Sequence, residues 1–282
     1  MNDWLGVIAL TLLALGIIAL GWWLLIETEG VYLGRRIVVW LYDLYADRYD
    51  DIKHFRSEYD HRFLSQPIME LIAPHRSPLV LDVATGTGRL PIVLLNHGQF
   101  QGRVIGIDMS RRMLRKAAYK LGSPNPRAPL LWTPAERLPF ADNTFDVVTS
   151  LESLEFMERP EAVLKEAVRV LRPGGLLLVT NRINTRLMPG KTQSGEQIAK
   201  ILESFGMENV VVDYWQVDYD RVWGRKQGSS SVTGARPLAE VLCCPRCQQL
   251  LIEETGVWRC PEGHFAAPVG DDGVIELLAP QA

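Results

Sequence analysis

The sequence has little excess charge of either sign: Lys and Arg total 30, Asp and Glu total 33, and the net charge is −3. A protein that binds nucleic acid over a broad surface usually carries a clear basic excess. The composition therefore disfavours a dedicated nucleic-acid binder, and it leaves local contact with RNA open. With 47% hydrophobic and 22% charged residues, the chain otherwise has an ordinary globular composition.

Cysteines are also few, and all four lie between Cys243 and Cys260. A disulfide framework would connect distant parts of the chain, so this clustering indicates a local metal site instead. The pairs Cys244-x2-Cys247 and Cys260-x3-His264 are separated by twelve residues, about one β-hairpin. Two such turns bring four ligands to tetrahedral positions around zinc. We expect these four side chains to bind a structural zinc ion, with Cys243 as a spare thiol that could exchange with Cys244.

Charged side chains are absent from Trp4 to Ile26, where Thr11 is the one polar residue. A helix of this length spans about 34 Å, enough to cross the hydrocarbon core of a bilayer. No Lys or Arg precedes the apolar run and no small-x-small cleavage site follows it, which disfavours a signal peptide. Residues 1–28 are therefore predicted to form a single transmembrane helix. Because Arg35 and Arg36 follow it, the positive-inside rule places the N-terminus outside and the remainder in the cytoplasm.

Short buried strands alternate with helices between residues 64 and 226. Strands are expected at 79–83, 103–107, 129–132, 145–149 and 176–180, helices at 89–97, 110–120, 160–171 and 194–205, and a last antiparallel pair at 209–213 and 218–224. This alternation predicts an α/β fold with a doubly wound, mostly parallel seven-stranded sheet. Around this domain we expect a juxtamembrane helical or lid segment at 29–63, a linker at 227–238 and a small zinc-binding β module at 239–282.

The strongest chemical signal is LVLDVATGTGRLP at 79–91, a buried strand followed by a glycine-containing turn and a helix. Doubly wound sheets bind ligands beyond the carboxyl ends of such strands. Asp108 ends the next strand, where a carboxylate can accept hydrogen bonds from both hydroxyls of a ribose. The dinucleotide fingerprint requires a third glycine where this chain has Pro91. S-adenosylmethionine carries no phosphate and does not need that glycine, so the turn favours it over NAD.

At this point residues 79–180 resemble the class I S-adenosylmethionine-dependent methyltransferases, especially the branch that contains ubiquinone and menaquinone biosynthesis enzymes. The matching segments are LDVATGTG at 81–88, GIDMS at 106–110, AERLPFADNTFDVV at 135–148 and EAVRVLRPGGLLLVTN at 166–181. Where the family often has Asp before the Ala at position 135, this chain has Pro134. The adenine amino group would then be held by backbone or by Glu136.

The resemblance implies a set of cofactor-binding residues. Asp82, Gly86 and Gly88 would line the methionine end with Ala84 and Thr85 of the same turn, Asp108 would hold the ribose, Met109, Ala135 and Glu136 would flank the adenine, and Ser150 would complete the set from the fourth strand.

Methyl transfer mainly requires alignment of nucleophile, methyl and sulfur, and a general base helps only where the acceptor must lose a proton. Glu155 falls where the family often has Glu or His, and it is the predicted catalytic acid or base. Glu152 and Glu155 would otherwise be solvated loop charges. Tyr49, His54 and Arg62 precede the core and either close over the cofactor or serve only as surface and packing residues.

Three functions are compatible with these features. The first is methyl transfer to a lipid-soluble small molecule, such as a quinone precursor or a lipid, at the cytoplasmic membrane face. The second is an RNA or protein methyltransferase, because the cysteine segment resembles the zinc knuckle of rRNA guanine methyltransferases and GDDGVIELL at 270–278 resembles the end of a zinc-binding methyltransferase activator. The third is a non-catalytic membrane-anchored scaffold. The oligomeric state stays open.

Overall fold

The computed structural model describes residues 3–53, 55–183 and 188–278. Its helices are α1 Asp3–Trp22, α2 Arg35–Tyr45, α3 Tyr49–Lys53, α4 Ser57–Asp60, α5 Gln66–Leu71, α6 Arg89–Leu95, α7 Arg111–Leu121, α8 Pro160–Val170 and α9 Gly195–Ser204. Its strands are β1 Leu79–Val83, β2 Arg103–Asp108, β3 Leu130–Trp132, β4 Phe145–Ser150, β5 Leu171–Arg182, β6 Met207–Gln216, β7 Tyr219–Lys226, β8 Ile252–Glu254, β9 Val257–Arg259, β10 Ala266–Pro268 and β11 Ile275–Glu276.

The central sheet has the strand order β11-β3-β2-β1-β4-β5-β7-β6. All neighbouring pairs are parallel except those of β7, which runs antiparallel to both β5 and β6. Every residue of β1 is buried, as expected for a strand covered by helices on both faces. The strands that follow β1 in the chain are added first on one side of it and then on the other, so β1 and β4 form the switch point where such sheets open a ligand crevice.

The sheet contains eight strands, and the prediction of seven was wrong by one. The added strand, β11, comes from the C-terminal segment and pairs in parallel with β3 through Ile275 and Glu276. Arg111 of α7 forms ion pairs with the same segment: its guanidinium lies 2.7 Å from Asp272 and 2.8 Å from Glu276. A strand of two residues is too short to give a hydrophobic alternation, which is why the pattern did not reveal it.

The C-terminal segment also has a sheet of its own, β10-β9-β8, joined by antiparallel pairs. The preceding residues 227–238 contact the domain: the backbone amides of Thr233 and Gly234 donate to the Asp146 carboxylate at 2.8 and 3.0 Å. Leu242 is fully buried and forms a β-bridge with Phe140. The cysteine segment is therefore packed against the central domain.

Helix α1 continues through a π-helical turn at Trp23–Glu27. The stretch Trp4–Glu27 is 24 residues long and has a mean hydropathy of 2.4. None of the residues in its most apolar part is buried. This helix is apolar and long enough to cross a membrane, and a signal sequence near an N-terminus would meet the same description.

The segment after α1 folds back over the central domain. In α2, Val38 and Leu41 are buried, and Asp43 accepts hydrogen bonds from the Ser110 hydroxyl at 2.6 Å and from the Arg112 backbone amide at 3.2 Å. Ser110 also caps α7 by accepting from the Met113 amide. These bonds place α2 at the N-terminus of α7, next to the carboxyl end of β2.

Candidate functional site

The turn between β1 and α6 has the backbone of a ligand-binding loop. Ala84 and Gly86 have positive φ angles of 57° and 54°, and a Cβ added to Gly86 would meet no atom within 4 Å. The space in front of Gly86 is therefore open to a ligand. Gly88 has a different role: a Cβ at this position would lie 3.3 Å from the Ala117 side chain, so this glycine allows close packing of α6 on α7. Gly88 lines neither the main cavity nor the smaller cavity described below, and its contact with the cofactor stays a prediction.

Asp108 lies at the end of β2 and lines the main cavity. One carboxylate oxygen accepts from the Gly86 amide and the other from the Ser110 amide, each at 2.8 Å. Both oxygens keep lone pairs for hydroxyl donors from a ligand. Burial raises the pKa of Asp108 to about 6, against the lowering effect of these backbone bonds. The carboxylate is thus oriented before any ligand binds.

Asp82 is buried at the end of β1. It accepts hydrogen bonds from the hydroxyls of Thr85 at 2.6 Å and Thr149 at 2.7 Å, and burial raises its pKa to about 6. Asp82, Ala84, Thr85 and Gly86 line one smaller cavity beside the main one. The structure therefore brings together four of the five residues predicted for the methionine end.

The residues predicted for the adenine end also lie together. Met109, Ala135 and Glu136 line the main cavity. The Trp132 indole fixes this edge by donating to the Met109 carbonyl at 2.8 Å. Glu136 accepts a short hydrogen bond from Arg35, the first residue of α2. Arg35 lies 101 residues away in the chain, and sequence reasoning missed it at this site because no local pattern signals such a contact.

The segment at 29–63 contributes one wall of the main cavity, through Arg35, Val38, Val39, Tyr42 and Tyr49. Its placement agrees with the lid role considered for Tyr49. The Arg62 guanidinium instead lies 5.5 Å from the centre of the Phe63 ring and does not line the cavity. His54 lies outside the described residues.

A buried ion cluster closes the site on the β4 side. Arg89 lies 2.6 Å from Asp60 and 2.7 Å from Glu152, and its guanidinium is 4.2 Å from the centre of the Phe55 ring. Glu152 also accepts from Gln216 at 2.6 Å and has a positive φ of 48°. It lines both the main cavity and the smaller one, as expected for a residue that faces the acceptor. Arg89 was not predicted, since a lone arginine at a helix start is usually solvated.

Glu155 and Ser150 lie outside the linings of the main and the smaller cavity. Glu155 is buried, accepts a short hydrogen bond from Tyr219 and lies 3.5 Å from Arg182. It does not line the main or the smaller cavity, and burial raises its pKa. The Ser150 hydroxyl lies 2.7 Å from that of Ser153, and Ser150 is likewise outside both linings. These positions disfavour direct contact of either side chain with cofactor or acceptor.

The four predicted metal ligands converge in the C-terminal segment. The Cys244 sulfur lies 3.6 Å and the Cys260 sulfur 3.7 Å from His264 Nε2, and the sulfurs of Cys247 and Cys260 are 3.5 Å apart. All four ligand atoms lie within 4.8 Å of one another. Tetrahedral zinc with Zn–S bonds of about 2.3 Å separates its ligands by just under 4 Å, so the set fits. Cys243 is directed away, toward the Val241 carbonyl, and burial raises its pKa.

Comparison with known proteins adds to this geometry. Residues 81–179 match the methyltransferase domain family. The ubiquinone/menaquinone biosynthesis C-methyltransferase UbiE of Roseobacter denitrificans is 35% identical over 153 residues, which are 54% of this chain and 60% of that protein. The demethylmenaquinone methyltransferase of Porphyromonas gingivalis is 35% identical over 136 residues, 48% of this chain and 56% of that protein.

Among solved structures, a SAM-dependent methyltransferase from Aquifex aeolicus superimposes with a TM-score of 0.50 at 22% identity, over 61% of this chain and 94% of that one. This likeness shows the Rossmann-like fold. The chain spans less than two thirds of the curated relatives named above. The matches identify its central part as a methyltransferase domain of the kind that uses S-adenosylmethionine.

Proposed function

We propose, on the premise that residues 81–179 form a methyltransferase domain, that this chain transfers a methyl group from S-adenosylmethionine to a lipid-soluble acceptor at the cytoplasmic face of a membrane. The acceptor class is a quinone precursor or a lipid. The observation that carries the cofactor assignment is the Asp108 carboxylate, held by the amides of Gly86 and Ser110 at the edge of an open cavity.

The cavity residues fit the cofactor in three parts. Asp108 would accept from the ribose hydroxyls, the apolar edge of Met109 and Ala135 would contact the adenine, and the turn containing Gly86 would hold the methionine end. When bound, the cofactor supplies an electrophilic methyl group on a sulfonium. The chain would orient it and exclude water with the helices that cover the site.

The acceptor class follows from two supports. The apolar helix Trp4–Glu27 leads directly into the segment that covers the cavity, so a membrane span would hold the site at the bilayer surface. The relatives named above carry ubiquinone, menaquinone or demethylmenaquinone in their names. Quinone precursors are lipid-soluble, in keeping with a site held at that surface. We place this domain in the cytoplasm because Arg35 and Arg36 follow the span.

The cysteine cluster would bind zinc in a structural role. Four protein ligands fill a tetrahedral site and leave no position for a substrate or a reactive water. A small segment with little core of its own gains its folding energy from such an ion.

A labelling experiment tests the proposal. The full chain in phospholipid nanodiscs is given methyl-labelled S-adenosylmethionine with a lipid extract, total RNA or a protein fraction. We expect label in the lipid fraction, and strongly reduced label with the Asp108→Asn variant. Label in RNA or protein would instead support the second function. No cofactor binding by calorimetry would support the scaffold.

A further inference from the structure

The structure has a second large cavity at the end of the apolar helix. It lies next to the main cavity, which we now call the cofactor cavity. Its volume is about 440 Å³, within the range of small-molecule sites. Its lining among the described residues is Ile26, Glu29, Leu41, Tyr42, Tyr45, Tyr49, Ile52 and Lys53. Ile26 belongs to the apolar helix and is 49% exposed, and Ile52 of α3 is 53% exposed; we call these two exposed apolar lining residues the rim. We call this space the helix-end cavity.

The helix-end cavity and the cofactor cavity share a wall of two tyrosines. Tyr42 and Tyr49 line both spaces, and their ring centroids are 5.8 Å apart. Tyr49 also lines the smaller cavity that contains Asp82. It therefore lies at the junction of the predicted adenosyl site, the predicted methionine site and the helix-end cavity. In a bound cofactor, the transferable methyl lies between those two sites.

From this arrangement we infer that the helix-end cavity is the acceptor site, where a lipid-soluble acceptor enters from the bilayer and presents an oxygen-bearing ring to the cofactor past Tyr42 and Tyr49. The inference rests on the proposed function and names the route that its acceptor takes. The apolar rim of Ile26 and Ile52 would hold the tail.

The polar groups of the helix-end cavity suit a ring that carries hydroxyl or carbonyl oxygens. The Tyr42 hydroxyl donates to Glu29 at 2.7 Å, and Lys53 lies 3.6 Å from the same carboxylate. Burial raises the pKa of both Tyr42 and Tyr49 well above the usual value, so both hydroxyls are neutral donors. One carboxylate, one ammonium and the three phenols of Tyr42, Tyr45 and Tyr49 offer both donors and acceptors to such a ring.

A different cavity provides the competing route. It is lined by Lys53, Phe55, Arg56, Tyr59, Arg89, Glu152 and residues 216–219, and it has more charged lining residues than the helix-end cavity. An apolar tail would lose contact with hydrocarbon there, so this route suits a water-soluble acceptor. The cavity in which an acceptor with an apolar tail binds therefore shows which of the two routes is used.

Photo-cross-linking of the full chain in phospholipid nanodiscs tests the inference. The probe is a prenylated benzoquinone with a diazirine on its ring, and cross-linked peptides are mapped by mass spectrometry. We expect cross-links within residues 26–52, since Lys53 lines both cavities. Ile52→Trp should reduce them about fivefold or more, because an indole at this lining position takes up space that the isoleucine side chain leaves free. Leu44→Trp is the matched control, since Leu44 is an exposed residue of α2 outside the cavity lining, and it should cross-link like the wild type.

Cross-links at 216–219, equal cross-linking by Ile52→Trp and wild type, or no specific cross-link at all would overturn the inference. Calorimetry with S-adenosylmethionine is run on the same samples. If the wild type does not bind S-adenosylmethionine, the proposed function is contradicted. The position of the cross-link independently shows which cavity the acceptor enters.

Discussion

Asp82 and Asp108 are the two carboxylates at the centre of the site, and both have pKa values raised to about 6 by burial. Above pH 6 they are ionised, and as the pH falls through 6 they become neutral. The ionised form is the better acceptor for ribose hydroxyls and for an ammonium. We therefore expect the Kd for S-adenosylmethionine to rise when the pH is lowered from 7.5 to 5. The rise is about tenfold if binding requires one of the two carboxylates to be ionised, and about tenfold again if it requires both.

Isothermal titration calorimetry across this pH range measures the effect. The control is Asp108→Asn, which should bind weakly at pH 7.5 and show a shallower pH dependence, because one of the two titrating groups is gone. An affinity that stays constant from pH 7.5 to pH 5 would show that neither carboxylate contacts the cofactor.

Glu155 is the residue whose predicted catalytic role the structure disfavours. Glu155→Ala leaves the buried Tyr219 hydroxyl and Arg182 without this acceptor, a loss of about 1–3 kcal/mol of folding free energy. We expect a lower Tm and a kcat within about threefold of wild type. Glu155→Gln keeps an acceptor for Tyr219 and should recover part of the Tm. A kcat reduced a hundredfold at unchanged Tm would restore the catalytic assignment.

Helix α2 is the element that joins the apolar helix to the cofactor cavity. Arg35 holds it there through Glu136 and Glu158, in ion pairs that are partly exposed. Pairs of this kind contribute about 0.5–1 kcal/mol, so Arg35→Ala should speed cofactor dissociation about two- to fivefold. Stopped-flow tryptophan fluorescence measures this rate. Arg36→Ala is the control, since Arg36 has no ion pair with Glu136 or Glu158, and equal rates for the two variants would contradict a closing role for α2.

The cysteine segment is the element that zinc would stabilise. We expect one zinc per chain by mass spectrometry of metals, and Cys260→Ser should lose it. Because β11 pairs with β3, that loss should also lower the Tm of the central domain. Cys243→Ser is a closely matched control, because the Cys243 sulfur is directed toward the Val241 carbonyl. Zinc retained by Cys260→Ser and lost by Cys243→Ser would reverse the ligand assignment.

Local patterns predicted β1, β2, β4 and β5 because each contains a buried apolar run of several residues. They missed β11, whose two residues depend on a partner strand more than 140 positions away. The residues 227–238 read as a linker from their glycines and serines, yet Thr233 and Gly234 donate to Asp146. Asp108 could be predicted because it ends the strand that comes after the glycine turn, whereas Arg35 and Tyr42 reach the site only through tertiary packing.

At the scale of the whole molecule, the proposed membrane location depends on the apolar helix Trp4–Glu27. Sodium carbonate extraction should leave the full chain in the membrane fraction, and deletion of residues 1–28 should release it with cofactor binding retained. We expect this because none of the residues in the most apolar part of Trp4–Glu27 is buried, so the helix contributes little to the domain core. Release of the full chain by carbonate, or a purified protein whose mass lacks these residues, would instead indicate a cleaved signal sequence.

The central claim concerns one cavity, and a crystal structure with S-adenosylhomocysteine tests it most directly. We expect both ribose hydroxyls within hydrogen-bonding distance of Asp108, the adenine between Met109 and Ala135, and the amino-acid end at the turn containing Gly86. A ligand bound elsewhere, or electron density showing this cavity empty at saturating ligand, would contradict the account.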